Sequence, residues 1–267
     1  MKYSFMTFSC PELTFGEVLQ LAKKLGYDGV EPRIASKHRH GLEPEADRTT
    51  RAEARRLAAD RGIAISCLAT SHRYSDPATS QAEAEATIRS AELAADVGAP
   101  CLRVFGGGIP EGIARGAAIE RLAEALTFVA ERIAGLPVAV CVETHDSWCD
   151  PTHVAEVMRR VNRPQIAVNW DIMHPVRTAK KTIEESYATL KPWIRHVHFH
   201  DGITLPDGTL VMKPIGEGAI DHRAAVRILK SEKYAGHLSG EWIRWEPYET
   251  HLPRELAAMK RLEQEVS

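Results

Sequence analysis

The chain has 267 residues, 44% hydrophobic and 26% charged, with a formal net charge of -2. This length admits two small domains or one (β/α)₈ barrel of about 250 residues, in a composition typical of globular proteins, and the lack of a basic surplus argues against a nucleic-acid partner. No apolar run approaches the roughly 18 residues that span a bilayer, and the opening Met1–Glu12 lacks the apolar segment and cleavage site of a signal peptide, so a cytoplasmic protein with no membrane partner is expected.

Strand-like and helix-like segments alternate along the chain. The first strand is read at Tyr3–Ser9. Thr14 then caps a helix through Leu25, with Glu17 as capping-box partner and Gly26 as the stop. A strand over Gly29–Arg33 precedes a helix over Ala46–Arg61. The strand Ala64–Thr70 precedes the helix Thr79–Val97, and Cys101–Phe105 precedes Gly116–Ala134. Val138–Glu143 is followed by Thr152–Val161, Ile166–Asp171 by Thr182–Leu190, His196–His200 by Asp221–Ser231, and Leu238–Ile243 by Pro253–Glu265. Several strands are continuous Val/Ile/Leu runs, as expected when both faces of a parallel strand are covered.

Eight strands each followed by a helix fit one closed (β/α)₈ TIM barrel, and no linker divides residues 1–267. An open doubly wound sheet is disfavoured because no G-x-G-x-x-G follows the first strand. Gly106-Gly107-Gly108 lacks the Lys-Ser/Thr of a phosphate-binding loop and reads as a close-approach loop at the rim. Cys10, Cys67, Cys101, Cys141 and Cys149, with no C-x-x-C, read as small buried residues of a reducing compartment.

In such a barrel the active site lies at the C-terminal ends of the strands. Four consecutive strand candidates carry metal-binding side chains there: Glu143, Asp171, His198 and Glu241. Three carboxylates and an imidazole suit one Mn²⁺, Mg²⁺, Co²⁺ or Zn²⁺ ion, with positions left for two substrate oxygens. Each residue also has a plainer reading. Glu143 can pair with Arg103, Asp171 can cap the following turn, and Glu241 can pair with Arg244. His196, His198 and His200 share one strand face, so spacing leaves the imidazole open, with the middle one preferred.

The chain resembles the sugar phosphate isomerase/epimerase family, whose members have a xylose isomerase-like TIM barrel. The likeness runs nearly end to end. It includes Phe15-Gly-Glu-Val-Leu-Gln-Leu-Ala-Lys-Lys-Leu-Gly26-Tyr-Asp-Gly-Val-Glu31, Val142-Glu143-Thr-His145, Asp171-Ile-Met-His174-Pro, His196-Val-His198-Phe-His-Asp201 and Gly216-Glu-Gly218-Ala-Ile-Asp221. The resemblance implies that Glu143, Asp171, His198 and Glu241 hold one divalent metal ion and that His174 contacts substrate. Some ketose epimerases of the family carry an Arg six residues after the ligand His. Here that position is Thr204, which argues against a free-ketohexose epimerase.

The implied activity is isomerisation or epimerisation of a small sugar or hydroxy-keto compound. Glu143 and Glu241 would act as the acid–base pair, through an enediolate. His72, Arg103, His145, His200, Lys213 and Glu31 are further candidates for substrate contact. The loop Asp201–Ile220 is a candidate lid. A dehydratase of a cyclic polyol ketone or of dehydroshikimate would start with the same proton abstraction. A DNA-repair endonuclease of the endonuclease IV type needs several zinc ions and a basic groove, which the net charge disfavours. Barrels of this kind often associate, so a homo-oligomer is compatible with the sequence.

Overall fold

The protein is described by a computed structural model over residues 1–266. Nine parallel segments form the barrel wall: β1 (Lys2–Met6), β2 (Gly29–Glu31), β3 (Ala64–Ile65), β4 (Leu68–Ala69), β5 (Cys101–Phe105), β6 (Ala139–Glu143), β7 (Ile166–Asp171), β8 (Ile194–Phe199) and β11 (His237–Gly240), in the order β3-β2-β1-β11-β8-β7-β6-β5-β4. β3 and β4 are two halves of one barrel strand, interrupted at Ser66 and Cys67. β3 pairs with β2 and β4 with β5, and an Arg33–Ala69 bridge helps join the two ends of the sheet. All eight strands expected from sequence are therefore present, the third in two pieces.

The helices form the outer layer: α1 (Phe15–Leu25), α2 (Arg48–Arg61), α3 (Ser80–Val97), α4 (Arg115–Arg132), α5 (Pro151–Val161), α6 (Met173–Ala179), α7 (Ile183–Leu190), α8 (His222–Ser231) and α9 (Tyr248–Glu265). Local chemistry sets their ends. Thr14 and Thr182 form reciprocal capping boxes with Glu17 and Glu185, and Gly26, Gly62 and Gly98 take the left-handed conformation that closes α1, α2 and α3. The expected first strand ends at Met6, where a 3-10 turn (Thr7–Ser9) begins, and a second 3-10 turn spans Asp146–Trp148; three larger elements also lie beyond the sequence reading. One is α6. The others are β9 (Asp201–Thr204) and β10 (Leu210–Lys213), which form an antiparallel hairpin.

The main apolar core lies between strands and helices. It takes Val140, Val142, Val168, Trp170, Val197 and Phe199 from alternate strand positions. The opposite parity points into the barrel, which is narrow and largely polar. Its floor is a separate cluster of Cys67, Cys101, Cys141 and Ala167. All five cysteines are free and buried. Ser4, Ser66, Asn169, His196 and Ser239 are buried polar residues on barrel strands or, for Ser66, in the break between β3 and β4. A register shift between β7 and β8 pushes Arg195 out and sets His196 beside Asn169 and His198 beside Asp171.

Candidate metal centre and active-site cavity

Glu143 and Asp171 end β6 and β7, His198 lies one residue before the end of β8, and Glu241 follows β11 by one residue. Parity turns all four inward, and one ligand atom from each lies within 4.8 Å of the others. His198 Nδ1 faces the carboxylates, 3.2 Å from Glu241 Oε2 and 3.6 Å from Glu143 Oε1. Its Nε2 points the other way, 3.1 Å from both oxygens of Glu31.

This packing concentrates negative charge among buried side chains, with Glu241 alone reaching the cavity above. Both Glu143 oxygens and Asp171 Oδ2 are buried and, among the described residues, accept no hydrogen bond. Ion-pair proximity is their compensation. Arg103 Nε lies 3.0 Å from Glu143 and Arg103 Nη2 lies 3.7 Å from Glu241, while His200 Nε2 lies 2.8 Å from Asp171 Oδ2. Burial alone would raise the Asp171 carboxyl, but the His200 and His174 imidazoles outweigh it and hold the group well below the usual range. For His198, burial opposes charge, yet Glu31, Glu143 and Glu241 together hold its imidazole well above its ordinary value. Buried carboxylate oxygens without donors, facing an imidazole nitrogen, are a donor set that fits a divalent cation. A proton on His198 is the charge such an ion would replace.

The plainer readings of these residues hold in part. Glu143 does pair with Arg103. Asp171 does cap α6, with Oδ1 accepting from the Met173 and His174 amides at 2.8 and 3.1 Å, which leaves Oδ2 for the centre. Glu241 turns to Arg103 and His198.

Above the four residues opens a cavity of about 280 Å³, lined by His145, His174, His200, Glu241, Leu210, Met212 and Ile243. The three imidazoles stand edge to face in a row, with centroids 4.4 Å apart for His145–His174 and 5.6 Å for His174–His200. His145 Nδ1 lies 2.9 Å from Asp146. Burial disfavours its charge, but Asp146 and Glu143 raise its imidazole to about 9. Burial, with His145 and His200 as cationic neighbours, holds His174 below its ordinary value.

Four expected substrate contacts sit elsewhere. Glu31 is fully buried behind the centre, bonded to His196 at 2.9 Å as well as to His198, because β2 points it across the barrel rather than up into the mouth. His72 turns outward to α3, with Nδ1 2.7 Å from Glu83 and Nε2 3.0 Å from Ser90. Arg103 lies beneath the carboxylates, 1% exposed, its guanidinium over the Phe105 ring. Lys213 has the wrong parity: Leu210 and Met212 take the cavity side of β10. The Gly106–Gly108 loop is a close approach, though to protein. A Cβ at Gly106 would lie 2.3 Å from the Trp148 indole, whose Nε1 donates to Gly107 O.

Residues 19–262 match the family model described as the xylose isomerase-like TIM barrel. The chain belongs to that family. A curated relative, 3-dehydroshikimate dehydratase of Bacillus anthracis, is 27% identical over 224 residues, covering 80% of this chain and 76% of the relative. Among solved structures, the probable 3-DHS dehydratase of Bacillus anthracis superposes with a TM-score of 0.80 at 22% identity, over 98% of each chain. An L-ribulose 3-epimerase gives 0.80 at 16% identity over 100% of this chain and 96% of its own. The IolI protein, solved with a zinc atom, gives 0.79 at 18% over 100% and 98%. The family thus has dehydratase and epimerase neighbours on one fold, and at such identities the structures speak for the fold alone.

Proposed function

We propose that the protein is a divalent-metal-dependent lyase that removes water from a small hydroxy-keto compound. One observation carries the choice between elimination and epimerisation. Of the two glutamates at the centre, Glu241 lines the cavity, whereas Glu143 is fully buried against Arg103. Epimerisation by two carboxylates needs both to reach substrate. Elimination needs one base and one acid. The dehydratase relative supports the same choice.

Glu143, Asp171, His198 and Glu241 would hold the ion. When bound, it supplies a Lewis acid that acidifies the C–H next to a carbonyl. Glu241 takes that proton from the α-carbon. The electron pair forms the new double bond, and the hydroxyl on the neighbouring carbon departs with a proton from His145, so that one water is lost. Asp146 orients His145 and holds a proton on its Nδ1, leaving Nε2 for the exchange. His174 and His200 donate to the developing oxyanion.

The test is to load the protein with Mn²⁺, supply 3-dehydroshikimate, and follow the near-ultraviolet absorbance of the more conjugated product. Glu241→Gln should lower kcat by about 10²–10⁴-fold. A protein that epimerised ring ketones or ketoses while the absorbance stayed flat would refute the lyase reading.

A further inference from the structure

The cavity has two unlike sides. His145, His174, His200 and Glu241 form one, and Leu210, Met212 and Ile243 form the other. Ile243 is 50% exposed, the most of any large hydrophobic residue among those described; next is Leu205, at 38%, in the turn of the β9–β10 hairpin. A single exposed aliphatic residue needs no explanation. One that shares a 280 Å³ cavity with two half-buried aliphatic residues, facing a row of imidazoles, does. The space is that of about nine water molecules, which suits one small ring with its substituents. A hydroxyl turned toward the half-buried Leu210 and Met212 exchanges water for side chains that offer no hydrogen-bond partner.

This wall is fixed at both ends. At its base, Asp201 Oδ1 accepts from the Gly202 and Ile220 amides at 2.8 and 3.2 Å. Its Oδ2 accepts from Gly216 and Gly218 at 2.9 and 3.1 Å. At its tip, Arg177 on α6 donates to Thr204 Oγ1 at 3.1 Å and to Gly208 O at 2.8 Å. Gly202 lets the strands close, since a Cβ there would lie 2.7 Å from the Leu210 side chain and 2.8 Å from Val211 O. The segment read from sequence as a lid is a stitched hairpin that presents two aliphatic side chains at set positions.

We infer that Leu210, Met212 and Ile243 are specificity-determining residues that select a ring ketone with one edge free of hydroxyls, and disfavour rings hydroxylated all round. The inference rests on the proposed lyase activity only for the choice of ring ketones as ligands. Arg177 is a positioning residue, acting through the hairpin.

Two neutral probes test it: 2,3-dihydroxycyclohexanone, whose other three ring carbons carry no oxygen, and 2-keto-myo-inositol, hydroxylated at every remaining ring carbon. Binding of each to the Mn²⁺-loaded protein is measured by calorimetry and turnover is followed in parallel. The unsubstituted protein should bind the first at least 10-fold more tightly. Met212→Ser, Leu210→Ser and Ile243→Ser should each narrow that preference by about 10-fold, raising KM with kcat within about three-fold. Met212→Leu should keep the preference, and Arg177→Ala should weaken it less than any of the three. A preference unmoved in all three serine variants, equal binding of both rings, or binding of neither would overturn the inference. A preference that moves as expected with no loss of water from either ring would sink the lyase activity and leave the wall standing.

Discussion

β6, β7, β8 and β11 deliver the four candidate ligands from extended backbone at or beside the strand ends, whereas the β1–β4 side of the mouth is built from irregular backbone. There the chain leaves β1 through a 3-10 turn at Thr7–Ser9 and passes positive φ at Ala35 and Lys37 after β2. The carboxylate of Glu43 gathers the Ala35, Ser36 and Lys37 amides. Arg33 is buried with its guanidinium on the carbonyls of Ile34 and Ala69 and on Ser71. Burial, then the charge of Arg103, lowers it to about 10. The ligand side concentrates carboxylates, three of whose oxygens (both of Glu143 and Oδ2 of Asp171) accept no hydrogen bond among the described residues, and the opposite side satisfies its polar groups internally. Unsatisfied groups mark where a ligand belongs, and satisfied groups mark support.

The hardest test of that contrast is His198→Ala. Removing the one imidazole of the set should abolish stoichiometric metal binding, read by elemental analysis of the dialysed protein. Unchanged metal content would show that a different imidazole is the ligand. Metal binding should also release protons, because His198 holds one against three carboxylates; its affinity should fall as pH falls.

On the opposite side, His40 is buried and serves structure. Its Nδ1 accepts from the Leu42 amide at 3.0 Å and its Nε2 donates to Arg33 O at 3.1 Å. Burial, then the neighbouring His38, depresses its imidazole to about 4. The unfolded chain therefore binds a proton near pH 6.5 that the folded chain refuses until about pH 4. Stability from this group is full above 6.5 and falls as pH drops through that window, by about 3 kcal/mol in all. His40→Gln should flatten the pH dependence of the urea midpoint between pH 6.5 and 4 by one proton's worth. Identical slopes would show that His40 charges freely.

Glu31 comes from the β1–β4 side but bonds across the barrel to His198, and shows what the sequence hides. The four candidate ligands were legible because each sits at the end of its own apolar run, where period-two parity alone turns it inward. Helix ends were legible for the same reason: Thr14, Glu17 and Gly26 act within one turn. Glu31 meets His196 across 165 positions of sequence, and no local pattern says which inward side chains meet over the barrel axis. The β9–β10 hairpin was nearer to view, since Pro206-Asp207-Gly208 between two apolar runs is a turn signal. Length made that segment read as a loop. Donation from His198 Nε2 to Glu31 leaves Nδ1 as the nitrogen that faces the carboxylates, so Glu31 is expected to act as a positioning residue for a bound ion. Glu31→Gln should weaken metal binding about 10–100-fold with little change in fold. Loss of substrate affinity at unchanged metal affinity would restore it to the substrate side.

The smallest expected effect is at His72, where the two roles are separable. Its backbone lies at the mouth: its carbonyl accepts from the Phe105 amide at 2.8 Å and its amide donates to Thr70 Oγ1 at 3.2 Å. Its ring faces α3 instead, with one nitrogen on Glu83 and the other on Ser90. Both ring nitrogens are thus engaged and neither is left to read a substrate oxygen. His72→Ala should cost about 1–2 kcal/mol of stability through lost hydrogen bonds, seen as a lower urea midpoint. kcat/KM should stay within about two-fold, because the backbone bonds that shape the mouth survive the substitution. A hundred-fold fall in kcat/KM at unchanged stability would mean that the ring swings inward in the working enzyme, and that the β1–β4 side of the mouth reads substrate after all.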